Sequence, residues 1–236
     1  VPGPRLLIFG ASGAIGQAIV HRALAADWIV VGATRNRAPS GLAASEWLQY
    51  DPIDDPLGNA LADVAPFDGV CWAQGANIND SPRTLDVDRH LDLYRANCVA
   101  VLASLAALVT RDLLSAGGAR LVVVSSIWQE RARQNKLSYT VTKAAIGGLV
   151  RSASVDLGSD GHLINAVLPG VLDTPMTASN LTPRQIDAVR AKTSLARLPD
   201  LATLADTVLF LCSAANRSIT GQSIAVDTGM SVASLV

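Results

Sequence analysis

Short runs of aliphatic residues recur along this chain, and each is followed by a longer stretch with helical spacing. The runs predict strands over Arg5–Phe9, Trp28–Ala33, Glu46–Tyr50, Gly69–Ala73, Arg120–Ser125, Leu163–Leu168 and Ser223–Val226. Between them, helices are expected near Ala14–Ala26, Leu57–Val64, Asp88–Leu114, Tyr139–Leu157 and Leu201–Cys212. Runs such as Leu121-Val122-Val123-Val124 are apolar at every position, not at alternate ones. A strand of that kind needs cover on both faces, which a parallel sheet flanked by helices supplies. Repeated strand–helix alternation therefore implies an α/β fold, a doubly wound three-layer sandwich on a seven-stranded, mostly parallel sheet. Right-handed crossovers gather the strand carboxyl ends along one edge, where such sheets bind ligands.

The chain has 236 residues, half of them hydrophobic and 17% charged, which suits one domain over 1–236 with a large core. With 19 basic and 20 acidic residues and no long run of one sign, no basic face for nucleic acid is expected. Cys71, Cys98 and Cys212 are scattered, as are the three histidines, so reduced buried thiols are expected and a metal site is not. The stretch Val1–Pro4 has no basic segment followed by an apolar run, and Val99–Val109 is about half the length a bilayer crossing needs. A cytoplasmic protein that does not engage a membrane is the expectation.

Directly after the first predicted strand comes Gly10-Ala11-Ser12-Gly13-Ala14-Ile15-Gly16, and a helix follows. Glycines let a backbone turn sharply and approach a pyrophosphate, whose charge is favoured by the N–H groups and dipole of the helix start. Gly10, Ser12, Gly13, Ala14, Ile15 and Gly16 are therefore candidates to hold a dinucleotide. The end of the second strand reads Gly32-Ala33-Thr34-Arg35-Asn36-Arg37. An NAD site usually places an acid there to accept from the ribose hydroxyls. Thr34 stands in that place here, and Arg35 can fork onto a 2′-phosphate, so NADP(H) is expected over NAD(H).

A third pattern is Ser126 followed by Tyr139-Thr140-Val141-Thr142-Lys143. On a helix, Tyr139 and Lys143 lie one turn apart on one side. A phenol titrates near pH 10, and a neighbouring ammonium favours its ionised form. Ser126, at the end of the fifth strand, can hydrogen-bond a substrate oxygen beside it. Together with the glycine turn, these residues resemble the short-chain dehydrogenase/reductase family over essentially the whole chain. That resemblance implies a Rossmann-type fold, a nicotinamide cofactor, a small carbonyl or alcohol substrate, and a homodimer or homotetramer. It implies catalytic roles for Asn97, Ser126, Tyr139 and Lys143, with Asn97 helping to hold a proton-relay water. It also implies that Asp51 contacts adenine, and that Gly75, Pro169, Gly170, Leu172 and Thr174 line the cofactor, joined there by Tyr139 and Lys143. Two departures stand out: Ala14 replaces the middle glycine of the usual turn, and Trp72-Ala73-Gln74-Gly75 keeps only the glycine of the usual Asn-Asn-Ala-Gly.

The activity implied is hydride transfer between nicotinamide and a carbonyl or secondary alcohol, with Tyr139 as acid and base. An NAD-dependent dehydrogenase of the same fold and a non-catalytic dinucleotide sensor are the alternatives. Two polar segments are expected as loops. Leu172–Leu198 is read as a cover over the substrate. In Ile127–Ser138, either Arg131 or Arg133 pairs with a substrate carboxylate or phosphate, or the loop is simply solvated.

Overall fold

A computed structural model of the chain describes residues 3–37, 40–174, 177 and 181–233. Seven parallel strands form one sheet: β1 (Arg5–Phe9), β2 (Ile29–Thr34), β3 (Glu46–Gln49), β4 (Gly69–Trp72), β5 (Arg120–Val124), β6 (Leu163–Pro169) and β7 (Ser223–Val226). Their order is β3-β2-β1-β4-β5-β6-β7, and Leu7 of β1 lies level with Val31 of β2 and Val70 of β4. All seven were legible in the sequence to within about a residue at either end. The chain winds outward in one direction from β1 and in the other from β4. The crevice between the two carboxyl ends is therefore the switch point at which such sheets bind ligands.

Successive residues of a strand face opposite ways, so a central strand serves two cores. Leu7 and Phe9 enter the core under α4 (Ala100–Thr110) and α5 (Leu137–Asp156), beside Val101, Leu105, Leu108, Ile146 and Val150. Leu6 and Ile8 enter the other, against Ile19, Val20 and Ala23 of α1 (Ala14–Leu24) and Leu204, Val208 and Leu211 of α7 (Leu201–Cys212).

Among the described residues, the remaining α-helices are α2 (Asn59–Ala62), α3 (Val87–Tyr94) and α6 (Pro183–Arg190). The long helix expected over Asp88–Leu114 is α3 and α4 joined by a wide π-helical turn, Arg95–Val99, in which the Ala100 N–H donates to the Arg95 carbonyl. The combined run Val87–Thr110 is longer than its most apolar stretch suggested, and by length and composition alone it could cross a bilayer. Half of its apolar window, however, is buried inside the fold. The segment Leu172–Leu198, expected as a loop, contains α6, although 175–176 and 178–180 lie outside the described residues. Helix α6 opens with a capping box between Thr182 and Gln185 and with Pro183 in its first turn, a local start signal. None of its residues is fully buried, and Ile186 and Val189 are its only large apolar side chains, a pattern too short to mark a helix from the sequence.

Candidate active site

Along the carboxyl ends of the strands runs a cleft of about 1130 Å³. Of the residues singled out from the sequence, Gly10, Ser12, Gly13, Ala14, Ile15, Thr34, Arg35, Asp51, Gly75, Ser126, Tyr139, Pro169, Gly170, Leu172 and Thr174 line it. Gly16, Asn97 and Lys143 stand behind its wall. Gly16 is buried beneath the turn, and Asn97 and Lys143 are almost fully buried.

The turn after β1 is shaped by two close approaches. Gly10 has φ of 72°, and a Cβ there would sit 2.7 Å from the Gln74 nitrogen. A Cβ on Gly16 would lie 2.2 Å from the Gly10 carbonyl oxygen. Gly13, in contrast, is extended and has ordinary room, with its first neighbour 3.5 Å away. Helix α1 begins at Gly13 with no side-chain cap and no acid in its first turn, so its leading N–H groups are left for an anion. The Gln74 Oε1 and Ser125 Oγ atoms are buried without a hydrogen-bond partner, and both residues line the cleft. A bare helix start, a backbone cradle that a Cβ would fill, and orphaned polar atoms all fit a dinucleotide.

Beyond that turn the wall becomes cationic. Arg35 and Arg37 are exposed and have no acidic partner among the described residues. Thr34 donates through its hydroxyl to the Asn36 carbonyl, which fixes the loop that carries them. Asp51 is occupied locally, accepting from the Ile53 N–H at 2.9 Å.

At the other end of the cleft, α5 presents Tyr139 and Lys143 on one side. The Lys143 ammonium is 5.7 Å from the Tyr139 ring centroid and donates to the Val124 carbonyl at 3.3 Å. Burial pushes Lys143 down to about 8, with neighbouring Cys98 acting in the opposite sense. Burial also pushes the Tyr139 phenol above its usual range, and a hydrogen bond with Ser126 draws it back. Burial is thus the larger influence on this phenol, and what opposes it is Ser126, not the Lys143 cation expected from the sequence to acidify it. Asn97 sits in the wide turn between α3 and α4. Its Oδ1 accepts from the Ala76 N–H at 2.8 Å, while its Nδ2 donates to the Ala76 carbonyl and the Thr142 hydroxyl, each at 3.0 Å. Those bonds tie the loop after β4 to α5 just behind the two candidate side chains.

Several residues of this end escaped the sequence reading. Buried Asp80, from the loop after β4, accepts from the Ser138 N–H at 2.9 Å and from the Ser138 hydroxyl, which also meets His90 Nδ1 at 2.8 Å. Lys136 is buried and donates to Asn77 Oδ1 at 2.7 Å. Arg133 lines the same cleft, whereas Arg131 lines a second cavity of about 630 Å³ bordered by Trp128 and Lys192. No spacing rule links Asp80 or Asn77 to α5, so nothing local could have marked them.

Residues 51–231 match the family described as enoyl-(acyl carrier protein) reductase, and an L-xylulose reductase from Bos taurus is 30% identical over 96% of both chains. This chain belongs to the short-chain dehydrogenase/reductase family. Within that family, a glucose 1-dehydrogenase from Gluconobacter oxydans is 24% identical over 98% of this chain and 92% of its own. Among solved structures, a gluconate 5-dehydrogenase from Burkholderia cenocepacia, in complex with NADP and tartrate, superposes with a TM-score of 0.90 at 24% identity, covering 99% of this chain and 97% of that one. As a short-chain dehydrogenase/reductase, the protein is an oxidoreductase of the class acting on CH–OH and C=O groups, and the family's cofactor is a nicotinamide dinucleotide.

Proposed function

We propose that the protein is an NADP(H)-dependent carbonyl reductase or alcohol dehydrogenase in which Tyr139 is the acid and base. One observation carries the reading: a buried lysine, a phenol and a serine hydroxyl meet at one end of a cleft whose other end is a bare helix start. The dinucleotide would be held by the turn from Gly10 to Gly16, by Asp51 at adenine, and by Gly75, Pro169, Gly170, Leu172 and Thr174 along its length. It would supply or accept the hydride at its nicotinamide carbon. In the reductive direction the substrate oxygen accepts from Ser126 and Tyr139, and Tyr139 gives up its proton as the oxygen gains negative charge. The resulting phenolate is stabilised by the Lys143 ammonium, an electrostatic gain realised mainly as that charge develops. Asn97 keeps the loop after β4 and α5 in register, beside the route by which water returns the proton.

The NADP preference is supported by Thr34 and Arg35 at the end of β2, where no carboxylate stands to repel a 2′-phosphate. That also weighs against the NAD-dependent alternative. A non-catalytic sensor would not need half-buried Tyr139 beside the buried Asn97, Ser126 and Lys143. A homodimer or homotetramer is supported by apolar side chains left exposed on the outer faces of α4 and α5, namely Leu102, Val141 and Val155.

Initial rates with NADPH and NADH over a panel of carbonyl compounds test the cofactor, and higher kcat/KM with NADPH is expected. Tyr139→Phe is expected to lower kcat by about a thousandfold or more, in line with loss of general acid catalysis, with NADPH affinity preserved. Undiminished turnover in that variant would remove Tyr139 from the mechanism.

A further inference from the structure

The cationic side chains of the cleft fall into two groups. Arg35 and Arg37 follow β2, whereas Arg133 and Lys136 lie between β5 and α5. Strands β2 and β5 are separated by β1 and β4, which sets the two strands that lead into these groups about 14 Å apart at a spacing of about 4.8 Å per strand. Arg95 also lines the cleft but is engaged by Asp92 at 3.5 Å. Arg133 and Lys136 have no acid within ion-pair distance among the described residues.

Lys136 is the more telling of the two. A loop lysine ordinarily reaches for solvent, yet this one is only 6% exposed. The preceding Asn135 adopts a left-handed conformation with φ of 57°, a state that asparagine tolerates better than most residues. The Lys136 ammonium then lies 5.6 Å from the Tyr139 ring centroid. Its hydrogen bond to Asn77 satisfies one of three N–H donors with a neutral acceptor. Asp80 is the acid whose charge favours this ammonium, but both of its carboxylate oxygens are taken by Ser138. A buried ammonium without a paired charge is costly, and Arg133 beside it adds like charge. An anion arriving in the cleft would relieve both.

We propose that Arg133 and Lys136 form a subsite for a carboxylate of the substrate, which makes the substrate a hydroxy acid or keto acid, not a neutral alcohol or ketone. The proposal rests on the reading of Tyr139 as the reacting phenol, since Lys136 then stands over the ring of the reacting residue. The carboxylate takes the free N–H groups of Lys136 and a charge-assisted bond from the exposed Arg133 guanidinium. Substrates without it leave the buried ammonium unpaired, so discrimination comes from the penalty as much as from the bond.

The test is calorimetric titration of the 236-residue chain with malonate and with malonamide, its neutral counterpart, in the presence and absence of saturating NADP+. Malonate is expected to bind at least tenfold more tightly than malonamide. Lys136→Met and Arg133→Gln are each expected to abolish most of that difference, with NADP+ affinity unchanged. Arg133 is exposed, so its variant keeps the test valid should Lys136→Met fail to fold. Equal affinity for the two probes, full malonate binding in Arg133→Gln, or displacement of malonate by NADP+ would overturn the subsite. The Tyr139→Phe measurement fails or succeeds separately, so a wrong subsite and a wrong reaction give different patterns.

Discussion

The amino ends of α1 and α5 both face the cleft, yet only one is closed by a carboxylate. Helix α1 starts at Gly13 with neither a side-chain cap nor an acid in its first turn. Helix α5 starts after Lys136, whose side chain does not cap it, and its Ser138 N–H is taken by Asp80 from the loop after β4. The open end offers backbone N–H groups, a shallow, solvent-facing site for a phosphate that carries its own charge. The closed end has its Leu137 and Ser138 N–H groups taken up by Asp80 and offers side chains instead: buried Lys136 and Lys143 and half-buried Tyr139. An anion-binding helix start is thus made by omission, whereas a chemical site needs its helix fixed first.

Charge burial at the closed end should be costly for the fold, and Lys143→Met measures that cost. With its ammonium pushed from the usual 10.5 to about 8, folded Lys143 binds fewer protons than the unfolded chain between those values. Stability of the natural protein should therefore rise with pH across that window, with the full cost present below about 8. The variant is expected to lose about a hundredfold or more in kcat and to gain up to about 3 kcal/mol in stability at pH 7. That gain should shrink toward pH 10, as read from urea midpoints at several pH values. A gain independent of pH would mean that the ammonium is not what strains the site.

Asp80→Ala opens the closed end. It leaves the buried Ser138 N–H without its acceptor, and a loss of about 2 kcal/mol is expected from that group alone. Because the cap comes from another loop, α5 should also fray at its first turn, seen as faster amide exchange over 137–140 than in the rest of the helix. Uniform exchange along α5 would show that packing on the sheet, not Asp80, holds that end.

Gly13→Asp closes the open end. Gly13 is extended and has room for a Cβ, so the new carboxylate can cap α1 and add a few tenths of a kcal/mol of stability. Like charges 4 Å apart at an effective dielectric of 20 repel by about 4 kcal/mol, so affinity for NADP+ is expected to fall by more than tenfold. The two readouts have opposite signs. A variant that gains stability and keeps its cofactor affinity would show that the α1 start does not hold the pyrophosphate.

Much of this molecule was written locally. The five inner strands announce themselves because each must be apolar on both faces, and the glycine turn because strand, Gly10, Gly16 and helix follow one another without a gap. Tyr139 and Lys143 are one turn apart on any helix that contains both. What failed locally is equally specific. The start of α5 was expected at Tyr139 but lies at Leu137, because the group that terminates it, Asp80, is 58 positions away in the chain. The wide turn at Arg95–Val99 lies within an unbroken helical pattern, so its break in hydrogen bonding has no compositional mark.

Sequence alone therefore determined the layers of the fold, the direction of its strands and the placing of Tyr139 and Lys143 on one side of one helix, since each follows from side-chain spacing along one segment. Tertiary structure decided which charges are buried and what they face. Desolvation of Lys143, desolvation of the Tyr139 phenol, and the inward turn of Lys136 toward Asn77 depend on segments that meet only when the sheet closes over its helices. Spacing is a property of the chain, but the cost of a charge is a property of its surroundings.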